Sequence, residues 1–583
     1  MATPRVLRLD LTRPLVDSRP TDLLGAVQTR RRPVFAEVVS AIRRVATEAR
    51  LTGLVARVGG SAPSLGPAHV QELRDAVLAV RAAGKPTIGF AETFGEFGPG
   101  TVGYAMGAAF EELWLQPSGD VGLTGISVQT AFVREAVDRL GLQPRIGQRR
   151  EYKNAPDTVL RDGYSDPHRE ALDRVVTALT DQLLTGIAAD RGVEPAVVRA
   201  AVDRAPVGPA DAVRVGLVDR LGYRDEVVAR LAERFGDDAV YVDPAGTRVG
   251  PGVPGAAAAA AAAAAQFRDR GRPVIAVVQA LGGIRTGRSG RSALSGASVG
   301  SDTLGHALRA AGRDDAVAAV VLRVDSPGGS YLASDTVLRE VLAVRRAGTP
   351  VVVSMGEYAA SGGYFIAMGA DRIVAQPGTL TGSIGVFGGK IVTRQLFERY
   401  GVRRDAVAVG PRARMFSPAF DYTDDEWAMV DGWLDRVYED FSGKVAEHRG
   451  LSPDHVQDIA RGRVWVGADA AERGLVDELG GLQTAVEAAA RLAGLDPDRV
   501  SLRRTPTAGL VGRLRQAVAG PDKHDPVPTA RVDGGLAGVV GGLLADLVAG
   551  VPAASGLPEL ADAVAMLLPG TGGALLSLDR VAR

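Results

Sequence analysis

Two halves of this chain repeat one another, and the repeat restricts the possible folds more than any other feature of the sequence. The pattern Gly-Leu-Val-Asp-x-Leu-Gly begins at Gly216 and again at Gly474, 258 positions further on. Upstream, Ala105-Met-Gly-Ala recurs as Ala367-Met-Gly-Ala, and the Leu-Thr-Gly that begins at Leu123 recurs within 380–382. The matches keep their order, so the sequence predicts one module that is used twice.

The repeat also predicts where the chain divides. We expect an N-terminal α/β repeat over 1–249, a Pro/Gly/Ala-rich linker over 250–270 and a C-terminal α/β repeat over 271–500. Residues 501–583 form a Gly/Ala-rich extension of unknown role. Its apolar segment 534–545 is typical of a loosely ordered extension, and a membrane-surface or oligomer contact is the alternative.

Strand and helix patterns alternate along the second repeat. Short apolar runs at 274–278, 316–324 and 351–354 predict buried strands, and 302–311 and 333–346 predict helices between them. This alternation predicts an α/β fold with mainly parallel sheets flanked by helices. A long amphipathic helix is expected over 424–448, and its apolar residues are interpreted as core packing. These are Trp427, Met429, Val430, Trp433, Leu434 and Val437.

Composition excludes several kinds of protein. Lys+Arg and Asp+Glu are both 68, and this balance disfavours nucleic-acid binding. Cys is absent, and the six His residues are scattered, so we expect no thiol chemistry, no metal and no cofactor. No signal peptide and no apolar run of about 18 residues is found, which favours a cytoplasmic protein, with a peripheral membrane contact as the alternative left open.

Two glycine-containing turns in the second repeat are candidates for chemistry. Ser361 stands between a predicted strand and a helical stretch and is followed by two glycines, so its oxygen would lie beside outward-pointing N–H groups. The turn 325–330, Asp-Ser-Pro-Gly-Gly-Ser, could present N–H groups to a developing oxyanion. An ordinary helix N-cap and an ordinary tight turn are the alternatives.

A nucleophilic serine needs a base, and the repeat indicates which residue supplies it. The chain has only five lysines, and no His stands in these motifs. The first repeat has Gly100 near the place of Ser361, and Lys153 lies 53 positions after Gly100. Arg414 lies 53 positions after Ser361. The two repeats therefore divide one Ser–Lys pair between them, since Arg cannot act as a base. Lys390 is a rival base, although Gly388-Gly-Lys is typical of an exposed turn.

Four motifs together resemble the signal peptide peptidase A family, in its long tandem-domain form known as protease IV. They are Tyr358-Ala-Ala-Ser-Gly-Gly-Tyr364, Leu380-Thr-Gly-Ser-Ile-Gly385, Asp325-Ser-Pro-Gly-Gly329 and Tyr152-Lys-Asn-Ala155. The resemblance covers about 30–500. It implies two crotonase/Clp-like α/β domains and a serine peptidase.

The resemblance also implies roles for individual residues. Ser361 would be the nucleophile and Lys153 the general base, with Gly329 and Gly362 as oxyanion-hole candidates and Ser383 holding the lysine amine. The substrates implied are signal-peptide remnants and other short or unfolded peptides. A bowl-shaped homo-oligomer, with a tetramer suggested, is implied as well. The long form begins with a membrane anchor, which this sequence does not match.

Three other functions fit parts of this pattern. A non-catalytic scaffold would keep the fold without the chemistry. A crotonase-type acyl-CoA enzyme would use the same oxyanion turn, but it gives no reason to split Ser and Lys between the repeats. A Clp-type peptidase would require a Ser–His–Asp set, for which the His residues are badly placed.

Overall fold

The computed structural model describes residues 3–16, 32–60, 65–244, 272–292 and 296–504. The predicted linker 250–270 and nearly all of the predicted extension 501–583 lie outside these residues.

The first repeat is built around a six-stranded sheet. The strands of this sheet are β1 (Arg5–Asp10), β2 (Leu51–Arg57), β3 (Thr87–Ala91), β4 (Glu112–Leu115), β6 (Arg220–Leu221) and β7 (Val240–Val242), and β5 (Gln143–Arg149) lies outside it. Adjacent strands pair in parallel in the order β6-β4-β3-β2-β1-β7. The helices are α1 (Phe35–Thr47), α2 (Pro67–Ala82), α3 (Thr101–Ala108), α4 (Arg134–Arg139), α5 (Asp157–Leu160), α6 (Asp166–Arg191), α7 (Pro195–Asp203), α8 (Pro209–Arg214) and α9 (Arg224–Phe235).

The second repeat is built around an eight-stranded sheet. Its strands are β8 (Val274–Leu281), β12 (Val317–Ser326), β13 (Val351–Ala360), β14 (Arg372–Ala375), β15 (Leu380–Gly382), β17 (Val464–Val466), β18 (Glu478–Leu479) and β19 (Ser501–Arg504). Outside that sheet lie β9 (Gly283–Arg285), β10 (Gly290–Ser292), β11 (Gly296–Gly300) and β16 (Val386–Val392). The helices are α10 (Ser301–Gly312), α11 (Tyr331–Arg346), α12 (Gly362–Ala367), α13 (Arg394–Arg399), α14 (Asp424–Arg449), α15 (Pro453–Ile459), α16 (Gly467–Glu472) and α17 (Leu482–Leu492), with a 3₁₀ turn at Pro497–Arg499.

The two sheets share one topology. The order β7-β1-β2-β3-β4-β6 of the first repeat corresponds to β19-β8-β12-β13-β14-β18 of the second, and all of these pairs are parallel. In the second repeat, β13 also pairs with β15 through its last residues, and β15 pairs antiparallel with β17. The prediction of an α/β fold with mainly parallel sheets flanked by helices is confirmed.

The repeated Gly-Leu-Val-Asp motif has the same structural role in both halves. The carboxylate of Asp219 accepts the N–H of Leu113 at 2.7 Å, and that of Asp477 accepts the N–H of Ile373 at the same distance. A buried tyrosine hydroxyl donates to the carbonyl of Leu217 in the first repeat and to that of Leu475 in the second. The motif therefore holds the short edge strand of each sheet, β6 or β18, against its neighbour, β4 or β14.

Helix α2 of the first repeat makes polar contacts with the second repeat. The buried Glu72 carboxylate accepts Arg323 Nη2 at 2.8 Å and the N–H of Leu482 at 2.8 Å. Next to it, Gln71 Oε1 accepts the N–H of Gly378 at 2.8 Å. A second contact is the antiparallel pairing of β5 with β16, which runs over seven residues on each strand. These contacts hold the two repeats in one arrangement.

Helix α14 matches the long helix expected at 424–448, but its predicted core residues are only partly correct. Val430, Leu434 and Val437 are buried, whereas Met429 and Trp433 are exposed. A single helix 26 residues long packs only one stripe of its surface, and these two side chains lie outside that stripe. Among the described residues, no helix combines the length and apolar character needed to cross a membrane.

Candidate active site

Ser361 directly follows strand β13 and directly precedes helix α12. Its φ of +54° is unusual for a residue with a side chain and is stabilised by the surrounding backbone. The Ser361 N–H donates to the carbonyl of Gly382 at 2.8 Å, continuing the pairing of β13 with β15. The sheet thus holds the hydroxyl at a sharp turn between a strand and a helix.

Lys153 reaches this serine from the first repeat. It follows β5 by four residues, and Ser383 precedes β16 by three, so the antiparallel pairing of these strands brings the two residues together. Lys153 Nζ lies 3.0 Å from Ser361 Oγ, 2.8 Å from the carbonyl oxygen of Ser383 and 3.0 Å from Ser383 Oγ. The structure therefore brings all three predicted side chains into contact.

The amine of Lys153 is buried, and among the described residues no carboxylate is one of its hydrogen-bond partners. The residue is only 4% exposed, and burial lowers its pKa to about 7. Burial disfavours the charged form because the protein interior solvates an ammonium poorly. At neutral pH a substantial share of Lys153 is therefore uncharged and able to accept a proton.

Gly329 and Gly362 lie side by side next to Ser361. A Cβ at Gly362 would stand 3.0 Å from the nitrogen of Gly329, and one at Gly328 would stand 2.6 Å from the nitrogen of Gly362. The turn and the start of α12 approach this closely only because these positions lack side chains. Among the described residues, no protein acceptor takes the N–H of Gly329 or of Gly362. Two donors are thus available beside the hydroxyl.

Lys390 does not contact Ser361. The expectation of an exposed turn is wrong: Lys390 lies within β16, is buried, donates from Nζ to the carbonyl of Met415 at 2.6 Å and stacks on Tyr422. Glycines in a strand permit close approach of a second backbone, and Gly389 lies against Arg145 of β5 in this way.

The counterparts of Ser361 and Lys153 in the opposite repeats are Gly100 and Arg414, and neither can supply the same chemistry. Gly100 precedes α3 as Ser361 precedes α12, and it offers no hydroxyl. Arg414 is exposed, and its guanidinium lies 4.7 Å from the ring centre of Phe420. The chain therefore brings one Ser–Lys pair together.

The loop Arg461-Gly-Arg463 is a part of the site that the sequence reading missed. Gly462, with φ of +84°, approaches so closely that a Cβ would stand 2.4 Å from the backbone nitrogen of Lys153. The carbonyl of Arg461 accepts the N–H of Tyr152 at 3.2 Å, and that of Arg463 accepts the N–H of Ser383 at 2.6 Å. This loop holds the lysine and its supporting serine together. A single glycine between two arginines gives no sequence signal of that role.

Known proteins match this chain along most of its length. The sequence profile of Peptidase family S49 matches residues 79–236 and 343–496, one region in each repeat. "Protease 4" of Salmonella typhi is 31% identical over 84% of this chain and 78% of its own length. "Serine protease SPPA, chloroplastic" of Arabidopsis thaliana is 28% identical over 79% of this chain and 67% of its own length. A shorter protein, "Putative signal peptide peptidase SppA" of Enterococcus faecium, is 33% identical over 30% of this chain and 51% of its own length.

Proposed function

The chain belongs to peptidase family S49 and is a serine peptidase, and from this premise we propose that Ser361 and Lys153 form its catalytic dyad. The observation that carries the proposal is the 3.0 Å distance between Lys153 Nζ and Ser361 Oγ, across the junction of the two repeats. Ser383 is the positioning residue of this dyad, because its carbonyl and hydroxyl oxygens both accept from the lysine amine.

The proposed reaction begins with neutral Lys153, which takes the proton of Ser361 Oγ while that oxygen attacks the carbonyl carbon of a peptide bond. The N–H groups of Gly329 and Gly362 stabilise the oxyanion, and each such donor is worth about 3–4 kcal/mol. Protonated Lys153 then gives its proton to the departing amine, leaving an acyl ester on Ser361. A water attacks the carbonyl carbon of this ester while Lys153 takes its proton; the bond to Ser361 Oγ then breaks, the carboxyl product leaves, and Lys153 returns the proton to Ser361 Oγ.

We propose that the substrates are signal-peptide remnants and other short or unfolded peptides. This proposal draws on the sequence resemblance and on the Enterococcus faecium relative, whose name is "Putative signal peptide peptidase SppA". It also fits a nucleophile that lies beside the N–H groups of Gly329 and Gly362, because an extended peptide can approach glycine backbone closely.

We further propose a homo-oligomer, for which the sequence resemblance suggests a tetramer. Support comes from an asymmetry between the repeats. Segment 402–409 follows α13 as β5 follows α4, yet it is exposed along its length, including Val407 and Val409. Segment 126–132 precedes α4 as β16 precedes α13, and it too forms no strand within the described chain. Pairing of these segments between copies would repeat the β5–β16 contact.

The predicted division at 250–270 remains part of this proposal, with one repeat carrying the lysine and the other the serine. The cytoplasmic location remains a prediction from the sequence. The same holds for the membrane-surface contact, because segment 534–545 lies outside the described residues.

A fluorogenic peptide library tests the dyad. We expect hydrolysis by the wild-type chain and by Lys390→Met, and none above background by Ser361→Ala or Lys153→Ala. The Lys85→Met variant is the matched control, because Lys85 also donates to backbone carbonyls but does so at the C-terminal end of α1, with Val45 and Glu48 as its partners. Full activity in Lys153→Ala, or its loss in Lys390→Met with the fold intact, contradicts the assignment of the base.

The oligomer is tested separately by sedimentation of the wild-type chain and of Val407→Asp/Val409→Asp. We expect an oligomer for the first and a monomer for the second. A wild-type chain that sediments as a monomer at micromolar concentration contradicts the proposal.

A further inference from the structure

A buried cluster of three ionisable side chains lies at the junction of the repeats and takes no part in the chemistry described above. His69, in the first turn of α2, places Nε2 3.2 Å from Asp325 Oδ2 and Nδ1 3.5 Å from Glu357 Oε2. All three side chains are about nine-tenths buried. Asp325 and Glu357 belong to the second repeat, so the histidine joins the two halves.

Asp325 fixes the spacing between two strands of the second sheet. Its carboxylate accepts the N–H of Glu357 and the N–H of Tyr358, each at 3.2 Å. This occurs where the register of β12 against β13 is interrupted, so the carboxylate replaces missing strand-to-strand hydrogen bonds. The turn with Gly329 follows Asp325 just after the end of β12. Ser361 follows Tyr358 just after the end of β13. The carboxylate thus ties the strand that leads to Gly329 to the strand that leads to Ser361.

Glu357 is held by the N-terminus of α2. Its carboxylate accepts the N–H of His69 at 3.1 Å and lies 3.5 Å from the N–H of Ala68. The approach requires a glycine before the helix, because a Cβ at Gly66 would stand 2.1 Å from the carboxylate of Glu357. A helix of 16 residues with free N–H groups at this end stabilises an acceptor there.

We propose that His69 is a positioning residue for the peptidase reaction: by bridging Asp325 and Glu357 it locks the oxyanion turn and the Ser361 strand at their working separation. The proposal rests on the Ser361–Lys153 dyad as the catalytic centre. It gives the first repeat a second role besides supplying Lys153, because the geometry of the serine half depends on contact with α2.

A charged residue, Arg323, and two aromatic residues surround the cluster. On β12, Arg323 faces Asp325 and is itself paired with Glu72 of α2. On β13, Tyr358 lies beside both carboxyls, and the centre of the Phe35 ring from α1 lies 4.4 Å from that of the His69 ring, with the two rings tilted. Burial raises the pKa of Glu357 to about 7, whereas His69 holds the pKa of Asp325 below its ordinary value. Asp325 is therefore the ionised carboxylate at neutral pH, and His69 holds it in place.

The test compares His69→Phe with His69→Gln in the full chain. Phenylalanine fills the space but removes both ring nitrogens, whereas the glutamine amide can donate to Asp325 in place of Nε2. We expect His69→Phe to lower kcat by about 10–100-fold with KM within twofold, and His69→Gln to recover most of the loss. In His69→Gln, kcat should still rise with pH around 7, because that rise reflects the loss of a proton from Lys153.

The matched control is Asp371→Asn. Asp371 pairs with Arg345 and accepts the N–H of Val351 at the opposite end of β13 from Ser361. We expect this variant to lose stability while its kcat stays within twofold of the wild type. A His69→Phe variant with wild-type kcat, or one whose kcat falls no further than that of Asp371→Asn, overturns the proposal.

Amide hydrogen exchange gives a readout that does not depend on activity. We expect faster exchange at Gly328, Glu357 and Tyr358 in His69→Phe than in the wild type, with other strands of the same sheet unchanged. Unchanged exchange at these amides rejects the positioning role of His69. If instead exchange rises in His69→Phe but the wild-type chain hydrolyses no peptide, the proposed dyad fails, and His69 keeps only a structural role at the junction of the repeats.

Discussion

Lys153 Nζ and Ser361 Oγ lie 3.0 Å apart although the two residues are 208 positions apart in the chain and belong to different repeats. The contact exists because β5 of the first repeat pairs antiparallel with β16 of the second. Each repeat alone holds half of the proposed dyad, since Gly100 is the counterpart of the serine in one and Arg414 is the counterpart of the lysine in the other.

Replacing Lys153 by arginine should abolish peptide hydrolysis. A guanidinium keeps its proton at any pH at which the fold survives, so Lys153→Arg cannot accept the proton of Ser361. We expect kcat/KM to fall at least about 10³-fold, measured with a fluorogenic peptide. Lys85→Arg is the control and should keep full activity. Turnover by Lys153→Arg at a tenth of the wild-type rate would exclude Lys153 as the base.

Activity should rise with pH through the neutral range. The pKa of Lys153 is lowered by burial to about 7, and only the neutral amine is active. We expect kcat/KM to fall about tenfold per pH unit below 6 and to level off above 8. A stopped assay with one peptide between pH 5 and 9 measures this. A flat profile would show that no group titrating near 7 controls the reaction.

Removing the Ser383 hydroxyl should weaken the enzyme without inactivating it. Ser383→Ala deletes one of the oxygens that accept from Lys153 Nζ but keeps the backbone carbonyl at 2.8 Å. We expect kcat to fall about 10–100-fold and KM to change little. Steady-state kinetics of Ser383→Ala beside Ser361→Ala distinguish a positioning role from a catalytic one. Equal losses in both variants would require a direct role for Ser383.

Replacing Lys153 by methionine should stabilise the folded chain at neutral and acid pH. The folded pKa of about 7 lies below the ordinary 10.5, so the lysine opposes folding most strongly below pH 7, and this penalty disappears as pH rises toward 10.5. The difference corresponds to a few kcal/mol, up to about 5. We expect Lys153→Met to unfold at a higher temperature than wild type at pH 6, with a smaller gap at pH 9.5. A gap that widens with pH would contradict the shift.

The buried ion pair of Glu72 with Arg323 should be sensitive to neutralisation. Glu72→Gln leaves the buried guanidinium of Arg323 without its carboxylate, and such a loss costs about 3–5 kcal/mol. The control is Glu135→Gln on the exposed pair with Arg139, for which we expect less than about 1 kcal/mol. Urea denaturation measures both. Equal, small effects would show that this pair does not hold the repeats together.

The sequence predicted those parts of the molecule that depend on local pattern and on the repeat. Ser361 and Lys153 are predicted from short motifs and from the count of 53 residues, and Ser383 is implied by the family resemblance; the structure brings these three side chains into contact. The parallel sheets followed from the alternation of strand and helix patterns. Such signals lie within a few residues of one another or recur at a fixed offset.

The junction of the repeats could not be predicted from the sequence. The pairing of β5 with β16 joins two short strands from different halves, and nothing in either strand specifies its partner. For the same reason Lys390 was expected in an exposed turn, although it lies in a strand of that pair. The polar residues His69 and Glu72 of α2 resemble solvent-facing positions until the second repeat covers them.

The rate at which a serine-directed phosphonate modifies Ser361 tests the dyad most directly. The modified residue is identified by peptide mass spectrometry, and the rate is measured against pH in the wild type and in Lys153→Met. We predict a single adduct on Ser361 that forms with an apparent pKa near 7, and modification at least about 10³-fold slower in Lys153→Met. An adduct on another serine, or equal rates in the two proteins, would contradict the account.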